Sequence, residues 1–428
     1  MGRTPPSSLA LGAVGRALRH PNYRLFFVGQ GISLVGTWLT RVATSWLVYR
    51  LTGSALLLGL VGFAGQIPTF FLAPFAGVMV DRWNRRRVLL VTQVLALVQS
   101  AALAVLALSG SVTVGRVLAL SIFQGLINAF DMPARQAMVV EMVEAREDLP
   151  NAIALNSSLV NAARLVGPSI AGVLIAAFGE GWCFAIDALS YVAVVASLLA
   201  MRLPERARPA RTTNVLADLR EGFRYVAGFR PIRAILILLG LVSFAGVPYA
   251  VLMPIFAARV LGGGPHALGL LMGASGLGAL TGALWLASRQ SVLGLGRVLV
   301  IAGAAFGAGL AGFALSRWMW LSLVLMVITG AGMMIQMAAS NTLVQTLVDE
   351  DKRGRVMSFY AVAFFGMAPF GSLVAGWLGD RIGAPATVLL GGVATLVAVA
   401  LFARELPELR RLSLPVYRER GILPAAAK

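Results

Sequence analysis

Gly77-Val78-Met79-Val80-Asp81-Arg82-Trp83-Asn84-Arg85-Arg86-Arg87 joins two apolar runs, residues 55 to 79 and 88 to 109. Each run is long enough to cross a bilayer as a helix, which takes about 20 apolar residues. The charged turn between them cannot lie in hydrocarbon, and its cluster of arginines holds it on the cytoplasmic face. Gly77 leaves room for another helix to approach closely. Asp81 can pair with an arginine or with the positive N-terminus of a neighbouring helix, a contact that can break and re-form.

Outward from this turn the same pattern repeats. Apolar spans are expected at 25 to 48, 55 to 79, 88 to 109, 113 to 134, 153 to 177 and 182 to 200. A second set follows at 232 to 255, 267 to 288, 297 to 316, 319 to 338, 355 to 379 and 385 to 403. With 58% hydrophobic residues, 13% charged and a mean hydropathy of +0.82, the 428 residues cannot clothe a soluble surface. The fold class is therefore all-α: a polytopic membrane protein of twelve transmembrane helices in two pseudo-symmetric six-helix bundles. Trp38, Trp46, Trp182, Trp318 and Trp320 are placed at the membrane interfaces, where indole prefers to sit.

The net charge of +18 could signal nucleic acid, but the position of the charges excludes it. Of the 36 Lys and Arg, Arg50, Arg116, Arg259, Arg317 and Arg381 fall in outward loops, and Arg41 and Arg164 within helices. All the rest lie in the tails and even-numbered loops, a positive-inside bias that puts both termini in the cytoplasm. Arg far outnumbers Lys, as in a GC-rich bacterial genome, so the expected location is a bacterial inner membrane. No removable signal peptide is expected.

The two halves echo each other at a spacing of about 210 residues: Leu58-Gly59-Leu60 recurs as Leu268-Gly269-Leu270, and Arg87-Val88-Leu89 as Arg297-Val298-Leu299. The division reads as a cytoplasmic tail 1–24, a bundle 25–200, a linker 201–231, a bundle 232–403 and a cytoplasmic tail 404–428. The linker carries an apolar stripe at Val215, Leu219, Phe223 and Val226, as an interfacial helix on lipid headgroups does. A lone Cys183 and two histidines, His20 and His266, supply no metal cluster, cofactor site or catalytic constellation, so an enzyme is not expected.

Gly77-x-x-x-Asp81-Arg82-x-x-Arg85-Arg86 resembles the signature loop of the major facilitator superfamily. The resemblance implies that Asp81 holds the cytoplasmic side closed against the start of the eleventh helix, near Gly354 and Arg355. The position matching Asp81 in the second half is Ser291. In the fifth span, Arg164-Leu-Val-Gly167-Pro168-Ser-Ile-Ala-Gly172 resembles the Gly-Pro motif of the antiporter branch. Together with Asp131-Met-Pro133-Ala-Arg135-Gln136 and Asn151-Ala-Ile-Ala-Leu155-Asn156-Ser157, it is similar to the exporter group called transmembrane secretion effectors, which includes macrolide and siderophore efflux proteins. Two positions depart from the antiporter pattern: Ser121 stands where the family's fourth-span arginine is implicated in proton transfer, and Thr37 where related exporters often carry an acid.

Polar groups inside the membrane are costly and should face a partner or water. Gln30, Ser33, Thr37, Arg41 and Thr44 share a face of the first span. Ser121, Gln124, Asn128, Asp131 and Arg135 share one of the fourth, and Ser157, Asn161 and Arg164 one of the fifth. These stripes are the expected substrate path, joined from the second half by Met333 and Gln336, whose neighbourhood suits apolar ligands. Asp131 and Asp187 are the proton-coupling candidates, with Asp131 ranked first. The expected activity is proton-driven export of a small amphipathic molecule, a drug, siderophore or other secondary metabolite, by a monomer in contact with protons and membrane lipids. The alternatives are a facilitator or importer, and more remotely a membrane sensor.

Overall fold

In the computed structural model, twelve helices among the described residues are long and apolar enough to cross a membrane. The structure describes residues 15–143, 145–202, 215–289 and 291–423. The side chains of Ala73, Pro74, Val78, Asp81 and residues 215–219 lie outside that description, as do parts of both expected tails and of the linker. In chain order the spans are Pro21–Thr52, Ala55–Arg82, Arg85–Leu108, Val114–Met142, Leu149–Phe178 and Glu180–Ala200. After a linker helix, Val215–Gly228, come Arg230–Val260, Gly264–Ala287, Leu295–Leu315, Met319–Leu347, Arg353–Ile382 and Ala384–Glu419.

Each span lies where the apolar runs predict it, but several run on past the expected end. The fourth continues to Met142, the tenth to Leu347, and the twelfth through Pro407 and Pro415 to Glu419, into what reads as a tail. Hydropathy marks only the part of a helix that must be apolar, and an amphipathic extension is invisible to it. The seventh span is not one rod. Its first helix ends at Ala245, Gly246-Val247-Pro248 interrupts it, and a π-helical turn, Phe256–Val260, closes it. The eleventh carries a similar turn at Val362–Gly366. By contrast, the fifth helix runs unbroken through Pro168.

The chain forms two compact units, Met1–Leu47 with Ala64–Ala210, and Val48–Phe63 with Arg211–Lys428. The second unit takes in the first interhelical loop because Asp380 holds it. One carboxylate oxygen accepts from Ser54 Oγ at 2.7 Å and the other from the backbone N–H of Ala55 at 2.6 Å, capping the second helix. Phe63 meets Phe370 edge-on at 5.7 Å in the same seam. In the first unit, the turn before the first span docks on the start of the fifth: Ala17 N–H donates to Asn151 Oδ1 at 3.0 Å and Tyr23 OH to the Ala152 carbonyl at 2.7 Å.

The linker helix is not merely solvated. Glu221 pairs with Arg355 at 2.8 Å, Tyr225 OH accepts from the Asp349 N–H at 3.3 Å, and Val226 is buried, while Phe223 stays exposed. In the second unit the eighth and tenth helices cross backbone to backbone. A Cβ on Gly278 would collide with the Val327 carbonyl, and one on Gly330 with that of Ser275. Without a hydrophobic force between helices in lipid, such contact is a main source of cohesion. Gly278→Val is expected to cost more than the roughly 1–3 kcal/mol typical of overpacking, because backbone cannot move aside as a side chain can. A sharply reduced monodisperse yield and melting temperature in detergent would show it.

Candidate functional site

The first span meets the sixth and the fifth on different faces, and each meeting gathers polar groups. Toward the sixth, Gly36 makes room: a Cβ there would sit 2.6 Å from Asp187 Oδ1 and 2.6 Å from Ser190 Oγ. One turn on, Thr40 Oγ1 donates to Asp187 Oδ2 at 2.7 Å, and Ser100 Oγ of the third span donates to the same oxygen at 2.7 Å. Ser190 Oγ donates to the Asp187 carbonyl at 2.7 Å and lies 3.5 Å from Oδ1. Asp187 is 1% exposed, and no cation lies within ion-pair distance of it among the described residues. Hydroxyls can donate to a carboxylate or turn to accept from a carboxylic acid, so this shell serves either protonation state.

Asp131 has a different environment. Arg135, one turn along the same helix, pairs with one oxygen, while Thr92 Oγ1 at 2.9 Å and Gln93 Nε2 at 2.7 Å donate to the other. The ion pair lies within the fourth helix, and the Thr92 and Gln93 bonds staple that helix to the third. Its expected place on the accessible stripe is not kept. Asp131 is thus ion-paired and Asp187 hydroxyl-bound.

Toward the fifth span, Trp38 lies on Gly167. A Cβ at 167 would sit 2.5 Å from Trp38 Cβ, so the Gly-Pro motif supplies the seat of an indole. Gly167, Pro168 and Gly172 are all buried. Two guanidinium carbons lie over that ring, Arg41 at 4.7 Å from its centroid and Arg164 at 5.8 Å. Arg41 is accessible and has no hydrogen bond or ion pair among the described residues. A cation–π contact is worth about 0.5–2 kcal/mol. Desolvating a guanidinium fully costs several kcal/mol, so Arg41 keeps its outer edge open. Trp38 was expected at an interface, as was Trp46, which is buried; Trp182, Trp318 (75% exposed) and Trp320 (82%) are exposed as that expectation requires. Composition cannot separate an interfacial indole from one that carries charge.

The other candidates scatter. Gln30 and Ser33 are buried, and Thr37 donates to the Ser33 carbonyl at 2.9 Å. Gln124 Nε2 donates to Asn128 Oδ1 at 3.0 Å, with Asn128 accessible, and Asn161 Nδ2 donates to the Ser157 carbonyl at 2.9 Å. Met333 and Gln336 face the interior of the second unit. Gln336 is 1% exposed, packed against Gly303 of the ninth span, and neither atom of its amide has a partner among the described residues. Thr40, Ser100, Ser190, Thr92 and Gln93, which surround the carboxylates, were not singled out by sequence. Only the i to i+3 spacing of Asp187 and Ser190 hinted at them.

In the charged turn, Arg85 pairs with Glu141 at 3.0 Å and donates to the Ala137 carbonyl, while Arg86 donates to the carbonyls of Leu198 and Leu199 at 2.8 and 2.9 Å. These two arginines tie the third helix to the fourth and the sixth. Arg82 is exposed. No described atom lies within 4 Å of a Cβ added to Gly77, nor of one added to Gly354. The Asp81 side chain lies outside the described residues.

A family model for the transmembrane secretion effectors matches residues 15–417. The chain belongs to this family of major facilitator transporters. It is 32% identical over 391 residues to the multidrug efflux pump Tap of Mycolicibacterium fortuitum, covering 89% of this chain and 94% of that protein. It is 25% identical to the staphyloferrin A transporter of Staphylococcus aureus, covering 89% and 95%, and 23% identical to macrolide efflux protein A of Streptococcus pyogenes, covering 92% and 99%. Among solved structures, the nucleoside transporter NupG superposes with a TM-score of 0.71 at 13% identity, over 91% of this chain and 99% of that one. A bacterial homologue of the lysosomal transporter Spinster gives 0.69 at 15%, over 92% and 97%. The transporter is thus a multi-pass membrane protein and not an enzyme.

Because removing one member strands the other charge, Asp131→Asn is expected to destabilise the protein by about 3 kcal/mol. Adding Arg135→Gln should recover most of that loss. Thermal unfolding of both variants in detergent measures it.

Proposed function

We propose that this transporter exports a small amphipathic molecule, a drug, siderophore or other secondary metabolite, by alternating access in exchange for protons. It would act as a monomer in a bacterial inner membrane with both termini cytoplasmic, among lipids that its arginine-rich loops contact. The observation that carries the reading is Asp187: a buried carboxylate in a shell of hydroxyls from three helices, with no cation beside it among the described residues. The efflux pumps and the siderophore transporter among its relatives support export. The loop motif at Gly77 to Arg86, with Asp81 as a latch, supports a gated cytoplasmic side.

In this reading Asp187 supplies the proton site that the substitutions at Ser121 and Thr37 take away from the antiporter pattern. A proton arriving at Asp187 turns the Thr40 hydroxyl from donor to acceptor or releases it, and so changes what holds the first span. Arg41 is the next residue along that helix. Occupancy of the substrate face and protonation of the sixth-span face then act on one rigid element, which is the condition for exchange.

The test is transport in proteoliposomes with an imposed pH gradient, using a labelled macrolide and staphyloferrin A. Gradient-driven flux of at least one solute is expected, and Asp187→Asn should reduce it to background while leaving exchange of the same solute at equal pH. Gradient-driven flux in Asp187→Asn at the wild-type rate, or no dependence on the gradient in the wild type, would overturn the coupling.

A further inference from the structure

We infer that Arg353 and Arg420 form an oxyanion site on the second unit, completed by the turn that follows the twelfth span, and that its ligand is a phosphate ester, free or as the headgroup of an acidic phospholipid. The inference does not depend on the transport reading. It starts from Tyr417-Arg418-Glu419-Arg420-Gly421-Ile422, where the last helix stops. Gly421 takes a left-handed φ of 67°, its N–H donates to the Arg418 carbonyl at 3.0 Å, and the Ile422 N–H reaches back to the Tyr417 carbonyl at 2.9 Å. That pair of bonds is a helix-ending motif whose left-handed place suits glycine. The turn directs Arg420 onto the tenth span, where one guanidinium nitrogen donates to the carbonyl of Val348, the C-cap of that helix.

The docked turn walls a cleft of about 400 Å³, within the range that holds small ligands. Ile422 is its apolar side, the last turns of the tenth span its polar side, and Arg353, the first residue of the next helix, faces it together with Arg420. The polar side is already satisfied: Thr342 and Thr346 donate to carbonyls of their own helix at 3.0 and 2.7 Å, and Gln345 donates to Asn341 at 2.6 Å. The unmet donors belong to the arginines. Arg353 Nε is buried and has no hydrogen-bond partner among the described residues, which is costly and marks where an acceptor belongs. Arg420 has no ion pair among the described residues, and its bond to Val348 occupies one of five N–H donors.

The acids of the adjoining loop do not fill this role, and no carboxylate is among the residues that line the cleft. Asp349 pairs with Lys352 at 3.6 Å, Asp351 is exposed, and Glu350, 87% exposed, reaches Arg353 only at 3.8 Å. An ion pair so open to water contributes little. What would meet both guanidinium forks is an acceptor reachable from two directions, and a phosphate ester presents its oxygens that way. Once bound, it ties the start of the eleventh span to the turn after the twelfth.

Full-length protein in neutral detergent is titrated calorimetrically, at one pH and constant ionic strength, with glycerol 3-phosphate and with glycerol as its neutral match. One saturable site per chain is expected for the phosphate and none for glycerol. Arg353→Gln and Arg420→Gln should each weaken binding at least tenfold, about 1.4 kcal/mol. Arg420→Lys should keep part of it. Arg410→Gln, which removes the same charge from an exposed position earlier in the last helix, should leave it unchanged. Hydrogen exchange at the Gly421 and Ile422 amides should slow when the phosphate binds. Since Arg420 also anchors the turn, Arg353→Gln decides the matter if Arg420→Gln does not fold.

The titration repeated in phosphatidylcholine nanodiscs, with and without phosphatidylglycerol, separates the two sources. An apparent affinity at least tenfold weaker with phosphatidylglycerol assigns the site to the lipid headgroup, and an unchanged one assigns it to a soluble ester. Glycerol 3-phosphate that binds no better than glycerol in detergent and in both nanodiscs would overturn the inference. So would wild-type affinity in folded Arg353→Gln, or an equal loss in Arg410→Gln.

Discussion

The hydrogen bond from Thr40 to Asp187 ties the first helix to a carboxylate that has no countercharge beside it among the described residues. Much of the first unit's chemistry depends on that contact. Gly36 allows it, Ser100 and Ser190 complete it, and Arg41 follows Thr40 directly in the chain. A helix touched on one face by a group that can exchange a proton, and carrying an accessible cation, Arg41, on another, can report each to the other without long-range rearrangement. The polar bond costs little while it is made, yet losing its partner in hydrocarbon costs far more, which gives a single proton leverage over a whole helix.

Three ways of keeping charge inside a membrane stand side by side in the first unit. Asp131 and Arg135 neutralise each other within the fourth helix, and Thr92 and Gln93 tie the pair to the third. Asp187 is solvated by hydroxyls, which leaves its charge state open. Arg41 and Arg164 share the aromatic face of Trp38, and Arg41 keeps an accessible edge. Only the second and third can change occupancy without breaking the fold. The second unit uses little charge within its spans, relying on glycine crossings such as Gly278 with Val327 and on a seam where Asp380 caps the second helix.

Hydropathy made the twelve spans legible, because the bilayer tolerates few alternatives to long apolar helices. It could not show the amphipathic ends of the fourth, tenth and twelfth helices or the interruption at Gly246 to Pro248. The two acids and two arginines of the site were also visible, since charge in an apolar run is conspicuous. What surrounds each of them was not. Whether a carboxylate is salt-bridged or hydroxyl-bound depends on which neighbouring helix supplies its partners, and Thr92, Gln93 and Ser100 look like ordinary polar residues in a linear reading. Trp38 shows the same limit: indole suits both the interface and a guanidinium, and its seat on Gly167 beneath Arg41 and Arg164 is not visible in a linear reading.

The account stands or falls on Asp187 exchanging a proton within its hydroxyl shell. Infrared difference spectroscopy of the purified transporter, taken as pH is stepped, follows the carbonyl band of a protonated carboxyl group directly. A band that appears and disappears with pH in the wild type and in Asp131→Asn, but is missing in Asp187→Asn, is the expected result. A titrating band that survives unchanged in Asp187→Asn would contradict it.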